Sequence, residues 1–290
     1  MKKVVILGSS GQLGSDLDNI LSLKQDIFTV GLSREHFDAE SETLSPAITA
    51  HSDADYIINC VAYTNVEGCE IETEIANRIN HEFTKKVALF CKINSIVLFQ
   101  ISTDYVFNGI EESPIKEDHP PQPINQYGKT KWLSEVAVQE LLEKFFIFRV
   151  SSLFGRAGAE GKGGNFVETM IQLASQGKSL SVIEDQFMCP THTLDVAKAI
   201  THFIENEISD YGIYHCSNQE STNWFGFAKT ILSRTNISAD LKPIQACDYP
   251  SKVKRPQFSV LDTSKLTRYY EMPSWKQALD KYLSIKGYVK

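Results

Sequence analysis

The apolar run Val4-Val5-Ile6-Leu7 breaks into Gly8-Ser9-Ser10-Gly11-Gln12-Leu13-Gly14 and then into a helical pattern through Leu17, Ile20 and Leu21. Four residues are too few for a buried helix, and the β-branched side chains suit a strand. Strand, glycine turn and helix in that order limit the fold more than any other stretch. Glycines let the backbone turn tightly and approach a ligand, while free N–H groups and the dipole at a helix start favour negative charge. A dinucleotide pyrophosphate matches both properties, so Gly8, Gly11 and Gly14 are candidate cofactor contacts; a glycine-rich turn without a ligand is the plainer alternative.

The rest of the chain continues the alternation. A second strand, Ile27 to Leu32, ends at Ser33-Arg34, where a dinucleotide fold presents residues to the adenosine ribose. Arg34 can pair with a 2′-phosphate, which favours NADPH over NADH, although it also reads as a solvated surface arginine. Tyr56 to Ala62 and Ile96 to Ile101 are the third and fourth strand patterns, separated by an amphipathic stretch from about Glu72 to Cys91; Phe145 to Val150 is the fifth. Such alternation predicts an α/β protein, with right-handed crossovers and a doubly wound parallel sheet covered on both faces. Ligands on these sheets lie beyond the carboxyl ends of the strands, where Ser102-Thr103-Asp104 falls. A strand-end cluster of this kind can also be plain turn chemistry.

Pro114 to Gln126 holds four of the ten prolines and reads as a loop, and Gly155 to Gly164 has five glycines, which suggests a mobile one. Beyond it the elements become mixed: a strand at Leu180 to Ile183, a helix from Thr193 to Asn206, a strand at Ile213 to Cys216, and a helix from Asn223 to Arg234. The expected division is a dinucleotide-binding unit over 1–155, with parts of 175–220 returning to it, and a mainly substrate-binding unit over 156–290.

Tyr127 and Lys131 stand four apart where the proline-studded loop gives way to a helical pattern. Residues i and i+4 share a helix face, so the lysine ammonium is expected near the phenol, lowering its pKa towards the working range of a proton donor. An ordinary exposed first turn would look the same. Downstream, Lys252, Lys254 and Arg255 form a compact basic group between Pro250 and Pro256, suited either to a substrate diphosphate or to solvent.

Charge narrows the partners. A net charge of −7 gives no support to general nucleic-acid or membrane-surface binding, which needs a basic face. Cys60, Cys69, Cys91, Cys189, Cys216 and Cys247 show neither a CxxC pair nor a zinc-ligand cluster, so core thiols in a reducing, cytoplasmic setting are expected. The apolar run near the N-terminus stops after four residues, and no segment reaches membrane-spanning length. No metal site is expected.

Taken together, the glycine turn, Ser102/Thr103 and Tyr127 with Lys131 resemble an extended short-chain dehydrogenase/reductase of the dTDP-4-dehydrorhamnose reductase family. Asn59-Cys60-Val61-Ala62-Tyr63-Thr64, Ser102 to Phe107, Tyr127-Gly128-Lys129-Thr130-Lys131, Gly164-Asn165-Phe166-Val167, Pro190-Thr191 and Arg255-Pro256 also match, over nearly the full length. The resemblance implies a Rossmann-type doubly wound parallel sheet with a smaller mixed α/β substrate-binding domain. It implies that Gln12 and Leu13 join the glycines at the pyrophosphate, that Asp38 lies near the adenine, and that Ala62, Tyr63 and Thr64 line the nicotinamide. Tyr127 and Lys131 become the catalytic pair, with Lys131 also on the nicotinamide ribose; Thr103 meets the keto oxygen, and Asp104 lies near the sugar. Asn165 and Arg255 complete the substrate contacts.

Three positions depart from the family pattern. Ser152 stands where the family has a tryptophan against the substrate, Met188 replaces a glycine, and Asn108 replaces an aspartate. The lost stacking surface bears on which sugar is bound, not on hydride chemistry. Some relatives bind magnesium near positions matching Glu184 and Asp185, but two adjacent carboxylates do not predict it here. The implied activity is NADPH-dependent reduction of the 4-keto group of a dTDP-4-dehydro-6-deoxy sugar, with NADH as a second donor and a homodimer as a candidate assembly. The alternatives are a reductase or epimerase of another nucleotide sugar, or a noncatalytic NADP-binding regulatory subunit like the partner of methionine adenosyltransferase.

Overall fold

A computed structural model describes residues 1–158, 164–251 and 253–289. Its centre is a sheet of β1 (Lys2–Leu7), β2 (Ile27–Leu32), β3 (Tyr56–Asn59), β4 (Val97–Thr103), β5 (Phe145–Val150) and β6 (Gly212–His215). The strands lie in the order β6-β5-β4-β3-β1-β2, and every neighbouring pair is parallel. Their registers bring the carboxyl ends level: Leu7 is opposite Leu32 and Asn59, and Thr103 is opposite Val150. From β1 the chain runs outwards to β2 and returns to β3 on the other side. That reversal opens a crevice above β1 and β3, where ligands bind on sheets of this kind.

Seven of the helices are α1 (Gln12–Leu21), α2 (Phe83–Asn94), α3 (Gln126–Leu141), α4 (Phe166–Ser175), α5 (Thr193–Glu205), α6 (Trp224–Thr235) and α7 (Trp275–Ile285). Successive residues of a strand face opposite ways, so β1 divides its side chains between two layers. Val4 and Ile6 join Phe99, Phe146 and Phe148 beneath α1 and α5, where Leu17, Ile200 and Phe203 are buried. Val5 and Leu7 meet Val87 and Cys91 of α2 and Val138 of α3 on the other face. A separate core gathers Phe154, Val182 and Met188 with α4, α6 and α7. A small fourth cluster, Val106, Phe107, Ile115 and Leu261, joins the segment near Ser259 to the region just past β4.

The doubly wound α/β expectation agrees with this sheet. Some boundaries differ: β3 ends at Asn59 rather than Ala62, and β4 runs on to Thr103, making Ser102 and Thr103 part of the strand. The amphipathic stretch from about Glu72 to Cys91 is a helix over Thr73–Asn77, a π-helical turn over Arg78–Glu82, and most of α2. The wider turn carries Asn80, which is fully buried and engaged with a neighbouring loop, a local distortion often found at functional sites. Of the glycine-rich loop from Gly155 to Gly164, residues 159–163 lie outside the described residues, as does Lys252 of the basic group.

Candidate active site

The glycine turn forms a cradle at the carboxyl end of β1. Gly8 adopts a left-handed φ of +82°, and a Cβ on Gly14 would lie 2.1 Å from the Gly8 carbonyl oxygen, so the helix start can approach the turn only without a side chain there. No side chain caps α1 at Gly11, and its first turn has no acidic residue. The side-chain oxygen of Gln12 is buried without a hydrogen-bond partner. Open N–H groups, a helix dipole and a close backbone fit a dinucleotide pyrophosphate. Leu13 is buried in the α1 core, so its side chain supports this cradle from behind.

Arg34 is exposed just past β2, and Asp38, also exposed, accepts the Glu40 N–H at 2.9 Å. These lie at the edge where an adenosine would extend. Ala62, Tyr63 and Thr64 follow β3 and are half-buried. Their loop is held by Asn80: its Oδ1 accepts the Tyr63 N–H at 2.7 Å, while its Nδ2 donates to the Tyr63 carbonyl at 3.2 Å and to Thr130 Oγ1 at 3.0 Å. One side chain therefore ties the loop after β3 to the helix bearing Tyr127. An asparagine within a helical pattern was the only sequence sign of it. The Tyr63 hydroxyl itself is turned to Glu72.

Tyr127 lies in the first turn of α3. Asn125 caps this helix by accepting the Gly128 N–H at 2.8 Å, and its Nδ2 donates to the Lys254 carbonyl at 3.0 Å. Gly128 is required for the approach to the end of β4, because a Cβ there would sit 2.1 Å from the Tyr105 carbonyl oxygen. Tyr105 packs edge-on to Tyr127 at 5.8 Å between ring centres. The expectation for Tyr127 acidity is corrected: burial pushes its pKa up, with Asp104, Cys69 and Tyr105 adding to the rise and only the Thr103 hydroxyl opposing it. A buried site disfavours phenolate, an effect that the i, i+4 spacing to Lys131 did not reveal.

Lys131 is turned inwards and donates to the Ile101 carbonyl at 2.7 Å. Burial pushes its pKa down to about 8, against the opposing charges of Glu135 and Cys60. Glu135, one turn further along α3, is fully buried and takes two-pronged hydrogen bonds from Arg149: Nε to Oε1 at 3.0 Å and Nη2 to Oε2 at 2.7 Å. Ser102 donates to the same carboxylate. Thus Ser102, part of the strand-end cluster, links β4 to the buried Glu135–Arg149 ion pair. Arg149 also stacks its guanidinium over Phe107 at 5.0 Å.

Thr103 and Asp104 close the end of β4, and both are buried. The Asp104 carboxylate, expected near the sugar, is enclosed by hydroxyls: Thr103 donates to Oδ1 at 3.0 Å, and Ser151 and Ser259 donate to Oδ2 at 2.8 and 2.6 Å. Asn165 is likewise occupied, capping α4 through the Glu168 N–H at 3.1 Å and donating to the Gly155 carbonyl and the Tyr282 hydroxyl at 2.9 and 3.0 Å. Both side chains thus have protein partners in this arrangement. Ser152, half-buried just past β5, has a left-handed φ of +44°. Arg255 is paired with Glu67, and its Nη1 donates to Ser251 Oγ at 3.0 Å. Burial raises the Glu67 carboxyl, but the hydrogen bond and charge of Arg255 outweigh it and hold the group below its ordinary range.

Comparisons agree with this arrangement. The family described as RmlD substrate binding domain matches residues 1–287. The chain is 33% identical over 285 residues to the spore coat polysaccharide biosynthesis protein SpsK of Bacillus subtilis strain 168, covering 98% of this chain and 97% of that protein. It is 30% identical to the dTDP-4-dehydrorhamnose reductase of Burkholderia thailandensis, with 96% of each covered. Among solved structures, the dTDP-4-dehydrorhamnose reductase of Bacillus anthracis in complex with NADP matches at a TM-score of 0.89 and 34% identity, covering 98% of this chain and all of that one.

Proposed function

The chain belongs to the RmlD substrate binding domain family together with dTDP-4-dehydrorhamnose reductases, and from this we propose that it reduces the 4-keto group of dTDP-4-dehydro-L-rhamnose to give dTDP-L-rhamnose. NADPH is the donor, as the NADP-bound relative supports, and NADH a second one. The observation that carries the reading is the convergence of Thr103, Tyr127 and Lys131 at strand ends beside a glycine cradle. Residues 1–155, with β6 and α5 returned to them, form the dinucleotide unit in this reading, and the α4, α6 and α7 core supports the sugar side. The location is cytoplasmic and the assembly a homodimer. No described helix is long and apolar enough to cross a membrane.

In the reaction, bound NADPH supplies the hydride to the carbonyl carbon. Tyr127 donates a proton to the developing alkoxide, and Thr103 offers it a hydrogen bond after turning from Asp104. The Tyr127 pKa, raised by burial, keeps the phenol protonated and available as an acid. Lys131, as an ammonium, favours negative charge nearby and binds the nicotinamide ribose. Arg255 meets the diphosphate when it exchanges Glu67 for the substrate. Gly8, Gly11, Gln12 and Gly14 hold the dinucleotide pyrophosphate, Asp38 the adenine side, and Ala62, Tyr63 and Thr64 the nicotinamide side.

NADPH oxidation against a panel of enzymatically generated 4-keto nucleotide sugars tests this function. Turnover is expected with the dTDP-4-keto-6-deoxy sugar. NAD retained through purification, with no NADPH consumed, would instead indicate an epimerase; dinucleotide binding without turnover on any sugar would indicate a regulatory subunit. Ser152 is the observation that places other 4-keto sugars in the panel. For cofactor choice, Arg34→Ala is expected to raise KM for NADPH more than for NADH; equal changes would remove the 2′-phosphate assignment.

A further inference from the structure

A fully buried glutamine, Gln100, interrupts the apolar run of β4 between Phe99 and Ile101. Buried amides persist in a strand interior when their polar atoms find partners. Gln100 Oε1 accepts from Asn59 Nδ2 at 2.8 Å, and Gln100 Nε2 donates to the Ile101 carbonyl at 2.9 Å. That carbonyl is also the anchor of Lys131, whose Nζ donates to it at 2.7 Å. The two donors fill both lone pairs of the oxygen, so Lys131 commits one of its three N–H groups to β4 and keeps two for other partners.

The direction of this chain of hydrogen bonds is set by the backbone. Asn59 ends β3 opposite Gln100, and its Oδ1 accepts the Val61 N–H at 3.2 Å. A backbone N–H can only donate, so the Asn59 oxygen must face it, and the amide nitrogen is left for Gln100 and, at 3.2 Å, for Thr84 Oγ1. Gln100 must then turn its oxygen to Asn59 and its nitrogen to Ile101. Thr84 in turn donates to the Asn80 carbonyl at 2.9 Å, joining the chain to the asparagine that holds Tyr63. We propose that Gln100 is a positioning residue for Lys131: donating to the same carbonyl, and itself held by Asn59, it fixes the anchor of the lysine relative to the loop that carries Ala62, Tyr63 and Thr64. This deepens the preceding reading and rests on it only for the consequence in turnover.

Gln100→Met keeps the length of the side chain and removes the amide. The readout is the pair of ε-proton NMR resonances of labelled lysine, which are separate for a held side chain and merge for one that rotates freely. Lys131 is identified by its loss in Lys131→Met, and no substrate is required. Lys265 is the internal control, because its Nζ donates at 2.8 Å to the Ile213 carbonyl of β6, at the far edge of the sheet, and lies 4.1 Å from the centre of the Tyr214 ring. In the unaltered protein Lys131 is expected to show two resonances and a nuclear Overhauser contact with the Gln100 amide. In Gln100→Met the Lys131 separation is expected to fall by at least about half while that of Lys265 stays; Asn59→Leu should do the same, and the double variant no more than either alone. The proposal is overturned if Lys131 keeps its separation in either single variant, if Lys265 changes equally, or if the two effects add. Should the variants not fold, the Overhauser contact decides: its presence supports the shared carbonyl and its absence overturns it. With a sugar that is turned over, kcat of Gln100→Met is expected to fall about tenfold, within the loss that a small misplacement near the chemistry causes, and an unchanged kcat beside a loosened Lys131 would overturn the tie to catalysis. Failure of the unaltered protein to turn over any sugar counts against the preceding reading alone, because the resonances still decide the placement of Lys131.

Discussion

Tyr127→Phe is expected to fold, to bind NADPH with native affinity, and to lose turnover by about a hundred- to ten-thousandfold, the usual contribution of a positioned proton donor. Only one oxygen is removed, so the edge-on packing against Tyr105 at 5.8 Å remains available to the phenylalanine ring. The alkoxide would then have only the Thr103 hydroxyl and water, with the phenolic proton gone. Cofactor fluorescence titration and NADPH oxidation at saturating substrate separate binding from chemistry. A folded variant that binds NADPH and turns over at the native rate would sink the proposed mechanism.

Arg149→Met is expected to cost stability rather than chemistry first. Glu135 and Arg149 are both almost completely buried, so removing the guanidinium leaves a carboxylate with Ser102 as its remaining side-chain donor. Stranding one charge of a buried pair typically costs about 3–5 kcal/mol, a large part of the roughly 5–15 kcal/mol that holds a domain folded. Replacing both partners, as in Glu135→Leu with Arg149→Met, should recover much of the loss because no charge is left behind. Urea denaturation of the single and double variants measures this directly. A loss of about 1 kcal/mol or less in Arg149→Met, the scale of an exposed pair, would show that water reaches Glu135.

The parts legible in the sequence were those specified by local rules. The glycine turn could be read because its glycines, its strand and its helix are adjacent, and Thr103, Tyr127 and Lys131 because a motif preserves their identity. What escaped depends on three-dimensional partners. Glu135 on a helix ordinarily reads as solvated, and Arg149 identifies itself as its partner only when β5 lies beside β4. Ser259 reaches Asp104 across 155 residues, a separation with no periodicity to announce it. Tyr127 shows the same limit chemically: the spacing to Lys131 was visible, whereas the burial that dominates its acidity was not. The π-helical turn at Asn80 was hidden because an amphipathic pattern does not record one wider turn within it.

The position of β6 has a consequence for biosynthesis. When the first 150 residues have left the ribosome, five of the six central strands are available, yet the outer edge of β5 still lacks Gly212–His215. On its face Phe146 and Phe148 await Phe203 and Tyr214, which finally surround them. An open strand edge beside uncovered aromatic rings is a surface on which nascent chains associate. Synthesis must therefore deliver some sixty more residues before that edge is sealed, and Ser259 emerges later still, making the environment of Asp104 among the last parts of the molecule to be completed.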